Sequence, residues 1–317
     1  MQLVTKQTEK NQIDFIGIGA QKSGTTWLFK CLSNLPEFEL LPIKELHYFD
    51  RDTTYPTPNT LSETHLKNRI TDITFLTTAL KSITYQFKKK SLKKVKFYLK
   101  WYFSNYDDDW YLSLFNDIEG HKGEITPSYS ILEQDDVIKM HQLAPNAKII
   151  LLFRNPIDRA WSHYRFKLQN SDDFNPESKL NTETIIQFIE SEEQSLRSNY
   201  LRTIENYSNV YPKNQILIGF YDSIYENPEA LIHNITEFIG GESSVDYSNL
   251  DLRRVENKSI HIDYPKEIEQ YLKDKYYDQI KQMAEQYGGY FNHWFEKTYD
   301  ETIKNAKKDL SPTMHLK

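Results

Sequence analysis

Two stretches of the chain carry residue types that could act on a phosphorylated ligand. The run GAQKSGTT, from Gly19 to Thr26, keeps the glycine spacing of a nucleotide-binding P-loop. It puts Thr25 where that motif requires lysine, and its basic residue has moved into the loop as Lys22. Gly24 allows a sharp backbone turn. The amides of Gly24, Thr25 and Thr26, with Ser23 just before them, would open a helix whose positive end faces an anion. A dinucleotide fingerprint is excluded, because it would need glycine where Lys22 stands. P-loop kinases and ATPases also place an acid at the end of a neighbouring strand to hold magnesium, whereas the apolar run KIILLF ends in Arg154. A cation there suits a second anionic group, so the pattern reads as a site gripping phosphate at two places with no obligatory metal. The second stretch, PIKELHYFD (residues 42–50), sets Lys44, Glu45 and His47 beside Tyr48 and Phe49. On a strand-like segment Glu45 and His47 would share a face, and either could serve as general base.

Taken together, AQKSGTTWL, LLFRNPIDRAWSHYRF and KELHYFD resemble the sulfotransferases that use 3'-phosphoadenosine 5'-phosphosulfate (PAPS), in particular the heparan-sulfate-type and related bacterial branch. The likeness runs from Phe15 to about Ser259 and includes YPKNQILIGFYDSIYENPEALIHNITEFIG. It implies that the first motif (Lys22, Ser23, Gly24, Thr25, Thr26) binds the 5'-phosphosulfate, and that Arg154 and Ser162 grip the 3'-phosphate. Lys22 would then offset charge on the departing phosphate. Glu45 matches the family's base, with His47 as helper; the competing reading pairs an exposed Glu45 with Lys44 or Arg51. A late basic loop closes over the nucleotide in such enzymes, which makes Lys258 and Ser259 the candidates within RRVENKSIH. One departure stands out: where heparan-type enzymes carry a lysine after the glutamate of GEITPSY, this chain has Ile125. Thr126 and Ser128 of that segment read either as cleft hydroxyls or as a turn.

These residues need a frame to hold them. Three short apolar runs, residues 13–19, 147–153 and 215–220, are continuous rather than alternating, as parallel strands covered on both faces are. Helices are expected after each, over residues 25–35, 156–168 and 228–239, the latter two capped by Asn155 and Asn227 with proline at the first position. The expected fold is α/β, one sulfotransferase-like domain over 1–317 with a central parallel β-sheet flanked by helices and a P-loop-like phosphosulfate loop. A mostly helical, basic insertion falls at about 60–118. Its lysines, dense from Lys88 to Lys100, read as a solvated face with Phe97, Leu99 and Trp101 partly buried, or as a docking surface for an anionic acceptor or an acidic membrane. The polar tail after about Lys297 is expected to be loosely held.

Composition bounds the rest. A net charge of −6 over 317 residues argues against a dedicated nucleic-acid binder. Cys31 is the only cysteine, which rules out an intrachain disulfide and suits the cytoplasm. No apolar run approaches bilayer length, and the first residues lack the apolar stretch of a secretion signal. The expected activity is transfer of a sulfuryl group from PAPS to a hydroxyl or amine of a glycan, lipid or small-molecule acceptor, without a metal. The alternatives are a P-loop-like kinase or NTPase and a nucleotide-binding protein without catalysis.

Overall fold

Side chains along the three apolar runs alternate between two separate cores. In the computed structural model, which describes residues 13–171, 180–242, 246–248, 250–253, 262–300 and 310–316, the runs form strands β1 (Phe15–Gly19), β3 (Lys148–Phe153) and β4 (Ile216–Phe220). Ile16, Ile18, Ile149, Leu151, Phe153, Ile216, Ile218 and Phe220 enter one core. Phe15, Ile150, Leu152 and Leu217 enter the other. That is the period-two rule applied to strands buried on both faces, and it explains why the runs show no apolar-polar alternation.

The sheet order is β2-β1-β3-β4-β5. β2 (Gly123–Ile125) lies parallel to β1, and β3 and β4 continue the parallel ladder. β5 (Thr313–His315) is antiparallel to β4, so the sheet is mostly rather than wholly parallel. The tail expected to hang loose supplies this edge strand. Thr313 is buried and its hydroxyl accepts from Asn234 at 2.9 Å, and Leu316 is buried too. Three residues of β2 and three of β5 are too short to register as apolar runs.

In chain order the helices are α1 (Thr25–Ser33), then α2 (Leu66–Arg69), α3 (Ile73–Lys88), α4 (Leu92–Tyr102) and α5 (Asp108–Ser113) across the insertion. Next come α6 (Gln134–Leu143), α7 (Pro156–Gln169), α8 (Thr182–Glu190), α9 (Glu192–Ser198) and α10 (Tyr200–Ser208). After β4 follow α11 (Ser223–Glu226), α12 (Pro228–Ile239), α13 (Lys266–Tyr287) and α14 (Gly289–Tyr299). A 3-10 turn, Pro127–Ile131, follows β2. Asn155 caps α7 by accepting from the Ile157 amide at 3.0 Å, and Asn227 caps α12 through the Ala230 amide at 3.3 Å. α1 and α12 bury Trp27, Leu28, Leu231, Ile232 and Ile235 on one face of the sheet. Ile224 of α11 joins them, while α7, α8, α10, α13 and α14 cover the other face. The neighbouring strands β1 and β3 end at one cleft. Crevices at the carboxyl ends of parallel strands are where α/β folds bind ligands.

A candidate nucleotide and transfer site at the carboxyl ends of β1 and β3

The turn leaving β1 is built on backbone that side-chain-bearing residues seldom adopt. Gly24, at φ 91°, starts α1 with no side chain capping it, and a Cβ there would lie 2.3 Å from Ile224 Cδ1. Only glycine fits, and the uncapped first turn of α1 faces the cleft. Lys22 is itself left-handed at φ 68°. Strained backbone of this kind persists where the surrounding structure fixes it. Here Ala20 N donates to Leu152 O at 2.7 Å and Ser23 N to Ala20 O at 3.3 Å.

One cavity of about 270 Å³ is lined by Lys22, Gly24, Thr25, Thr26, Lys44, Glu45, Arg154 and Ser162, residues drawn from both expected motifs. Arg154, just past β3, donates to the Lys22 carbonyl at 3.4 Å and lies 4.3 Å from the Tyr221 ring. The Lys22 ammonium sits 4.2 Å from the Phe166 ring. Burial, then the charges of Arg154 and Arg165, lower Lys22 to about 8. Lys22, Lys44, Arg154 and Arg253 all line this one cavity, a concentration of positive charge that favours an anion. Ser162 and Phe166, one turn apart on α7, present a hydroxyl and a ring to the same wall.

Glu45 and His47 do meet, but not as the faces of a strand. Residues 44–50 form an irregular loop in which His47 is left-handed at φ 55°. Lys44 donates to Glu45 Oε1 at 2.5 Å, while His47 Nε2 lies 3.6 Å from Glu45 Oε2. The other His47 nitrogen, Nδ1, is 2.8 Å from Asp50 Oδ2. For Glu45, burial raises the carboxyl, yet hydrogen bonds from His47 and the charge of Lys44 outweigh it and hold the group at about 2. For His47, burial lowers the imidazole, but bonds to Asp50 and Glu45 prevail and lift it to about 9. At neutral pH Glu45 is therefore a carboxylate and His47 an imidazolium. Lys44 does pair with Glu45, as the competing reading expected; Arg51 instead donates to the Tyr106 carbonyl at 2.7 Å.

The segment after β2 holds that loop. Thr126 Oγ1 accepts from the Leu46 amide at 3.0 Å and donates to Glu124 Oε2 at 2.8 Å. Tyr129 OH accepts from the Tyr48 amide at 2.9 Å, and Ser128 Oγ donates to Asp50 Oδ2 at 2.6 Å. Glu124, fully buried and also bonded by Tyr111 at 2.7 Å, is raised to about 7, chiefly by burial. Thr126 and Ser128 are thus buried supports of the loop rather than cleft hydroxyls. Ile125 faces the opposite core, so the position that departs from the heparan-type pattern is directed away from this network.

Of the other expected site residues, Ser23 is fully buried and does not line the cleft, because the turn points its side chain inward. Lys258 and Ser259 lie outside the described residues. Arg253, at the start of the same basic stretch, does line the cleft, tethered by the Trp27 indole donating to the Leu252 carbonyl at 2.9 Å. Sequence reasoning missed Arg253, Phe166, Tyr221 and Tyr225 as cleft residues. Only the four-residue spacing of Phe166 from Ser162 could have signalled one of them.

Comparison with known proteins matches residues 12–306 to the family described as the sulfotransferase domain. Among solved structures, a sulfotransferase from Alicyclobacillus acidocaldarius is similar at 18% identity and TM-score 0.57, over 86% of this chain and 95% of that one. The sulfotransferase domain of an olefin synthase from Synechococcus PCC 7002 matches at 20% identity and TM-score 0.47, over 77% of this chain and 78% of that one. No curated protein matches. At 18% identity the likeness to the Alicyclobacillus structure speaks to the fold.

Proposed function

Since this chain belongs to the sulfotransferase-domain family, we propose that it transfers a sulfuryl group from PAPS to a hydroxyl or amine of an acceptor, in the cytoplasm. A glycan, a lipid or a small molecule would suit, with carbohydrate the first class to try on the heparan-type likeness of the base segment. The observation that carries this reading is the single cavity lined by the α1 N-terminus, Lys22, Arg154, Ser162 and Glu45.

In this reading the first turn of α1 and Lys22 receive the 5'-phosphosulfate. Arg154 and Ser162, across the cleft, take the 3'-phosphate by charge-assisted and hydroxyl hydrogen bonds. The acceptor oxygen or nitrogen attacks sulfur in line with the departing phosphate, its proton passes to Glu45, and Lys22 neutralises charge as the phosphate leaves. Depression to about 2 keeps Glu45 ionised but weakens it as a base, so it takes the proton only as the acceptor atom gains acidity on bonding to sulfur. His47, held as a cation near 9, has no free lone pair at neutral pH and acts by orienting Glu45. Arg154 occupies the strand end where a kinase would carry its magnesium-binding acid, which favours sulfuryl transfer over NTP chemistry.

The test is incubation with radiolabelled PAPS and a broad acceptor panel, alongside titration with adenosine 3',5'-bisphosphate and plain adenosine nucleotides. Labelled acceptor and a preference for the 3'-phosphorylated nucleotide are expected. Tight bisphosphate binding with no labelled product would move the assignment to a non-catalytic binder, and equal binding of both nucleotides would refute the roles of Arg154 and Ser162.

A further inference from the structure

α3 and α4 pack against each other as a hairpin whose outward side does not resemble the solvent side of an ordinary surface helix. The inward side accounts for Ala79, Phe97 and Trp101, which are buried, and for the Phe75 and Tyr102 rings, 5.7 Å apart. A helix so anchored should present polar residues outward. Instead α3 carries a second apolar stripe at positions spaced seven apart, Ile73 (75% exposed), Leu80 and Phe87 (66%). α4 repeats the pattern with Leu92 (73%) and Leu99 (47%). Phe87 and Leu92 lie on either side of the helix connection, which holds Lys88 at the end of α3 followed by Lys89, Lys90 and Ser91, with Lys90 left-handed at φ 56°.

Charge singles out the same segment. Residues 66–102 hold ten Lys and Arg against one acid, Asp72, in a chain whose net charge is −6. Lys93 pairs with Glu39 at 2.5 Å and Lys96 with Asp117 at 2.9 Å. Lys81, Lys88, Lys89, Lys90 and Lys94 are exposed and have no ion-pair partner among the described residues. No helix among the described residues is long and apolar enough to cross a membrane.

We propose that this hairpin docks the protein onto the surface of an anionic phospholipid bilayer, with Phe87 and Leu92 entering the interface and Lys88, Lys89 and Lys90 lying at the headgroups. Clustered lysines supply long-range attraction to the anionic leaflet, and exposed apolar side chains supply the buried contact that makes it persist. Two rival occupants fit less well. A soluble polyanion would satisfy the lysines but leave five large apolar side chains in water. A second copy of the chain, meeting through the same face, would set its lysines against their like. The inference stands on the hairpin alone and does not depend on the reaction assigned to the cleft.

The experiment is flotation of the full chain with vesicles of pure phosphatidylcholine and vesicles containing about 30% phosphatidylglycerol, at low and high salt, with heparin as a soluble polyanion competitor. Binding at least about tenfold stronger to the anionic vesicles is expected, weakened by salt. Phe87→Ser/Leu92→Ser, which leaves the charge unchanged, should lower vesicle binding about tenfold while leaving heparin binding intact. Lys88→Glu/Lys89→Glu/Lys90→Glu should abolish vesicle binding. Circular dichroism and thermal unfolding of each variant check that the fold survives; these sites are exposed, so little change is expected. No preference for anionic vesicles at low salt would overturn the proposal. So would unchanged vesicle binding by the Phe87 and Leu92 variant with full competition by heparin, which would mark a polyanion site. Sedimentation showing a dimer that both variants dissociate would assign the face to self-association instead.

Discussion

Glu45 and Lys22 line one cavity and both have lowered pKa values, which favours the charged form of Glu45 and disfavours that of Lys22, and each makes a separable prediction. Glu45→Gln keeps shape and hydrogen bonding but removes the proton acceptor, so turnover should fall about a hundredfold or more with PAPS affinity nearly unchanged. His47→Ala should cost less in kcat. If His47→Ala abolished turnover while Glu45→Gln retained most of it, the histidine would be the base. Under the proposed reaction the charged form of Lys22 binds the donor, and burial with Arg154 and Arg165 lowers its pKa to about 8. kcat/KM for PAPS should therefore decline as pH rises through about 8. Lys22→Arg should push that limb beyond about pH 10, since a guanidinium stays charged. Lys22→Ala should act mainly on kcat. Arg154→Ala should act mainly on nucleotide affinity, by about 2 kcal/mol or more if its phosphate pair is desolvated. The His47 array also sets a stability window. Its pKa is raised to about 9, so its stabilising contribution is complete below the ordinary 6.5 and is lost as pH rises through about 9. Thermal unfolding of the parent against His47→Ala across pH 6 to about 10 reads that loss.

At the scale of elements, the loop that carries Glu45 is only as well placed as the turn beneath it. The Leu46 and Tyr48 amides are held by Thr126 and Tyr129, which in turn bond the buried Glu124 carboxyl. Thr126→Val keeps the volume but leaves the Leu46 amide and one Glu124 oxygen without that partner. Destabilisation of about 1–3 kcal/mol is expected, together with a lower kcat that Thr126→Ser restores. Denaturant unfolding and steady-state kinetics on the two variants decide it; a Thr126→Ser protein as poor as Thr126→Val would show that the methyl, not the hydroxyl, matters. The start of α1 is equally constrained. Gly24→Ala would drive a Cβ into Ile224 Cδ1 at 2.3 Å from a left-handed backbone, and weaker nucleotide binding should accompany any stable variant.

Across the whole molecule, a mostly parallel sheet brings Lys22 and Arg154, 132 residues apart, to a 3.4 Å hydrogen bond because β1 and β3 are direct neighbours. The edge strand β5 closes the β4 side of that sheet. Deleting residues 310–317 should lower the thermal midpoint by several degrees, since it removes the β4 ladder partner and uncovers the core contact of Leu316. An unchanged midpoint would mean that the ladder adds nothing. The strand-end cation has a consequence for the intact enzyme as well. With Arg154 where a magnesium-binding acid would stand, dialysis against a chelator should leave sulfuryl transfer intact; a requirement for magnesium restored by add-back would favour the NTPase reading.

Local sequence determined what local chemistry governs. The apolar runs specify β1, β3 and β4 because strands buried on both faces need apolar side chains on both. Asn155-Pro156 and Asn227-Pro228 specify helix starts, and GAQKSGTT specifies a sharp turn into an uncapped helix because glycine spacing needs no distant partner. What only the tertiary structure decided depends on contacts between residues far apart in the chain. Ser23 turns inward while Arg253, more than two hundred residues away, joins the cleft through the Trp27 tether. His47 reaches Glu45 through a left-handed loop braced by Thr126, Ser128 and Tyr129, which no period-two pattern encodes. The polar tail becomes strand β5 because β4 offers an open edge, and an edge's hydrogen-bonding groups bind backbone, on which side-chain patterns are silent.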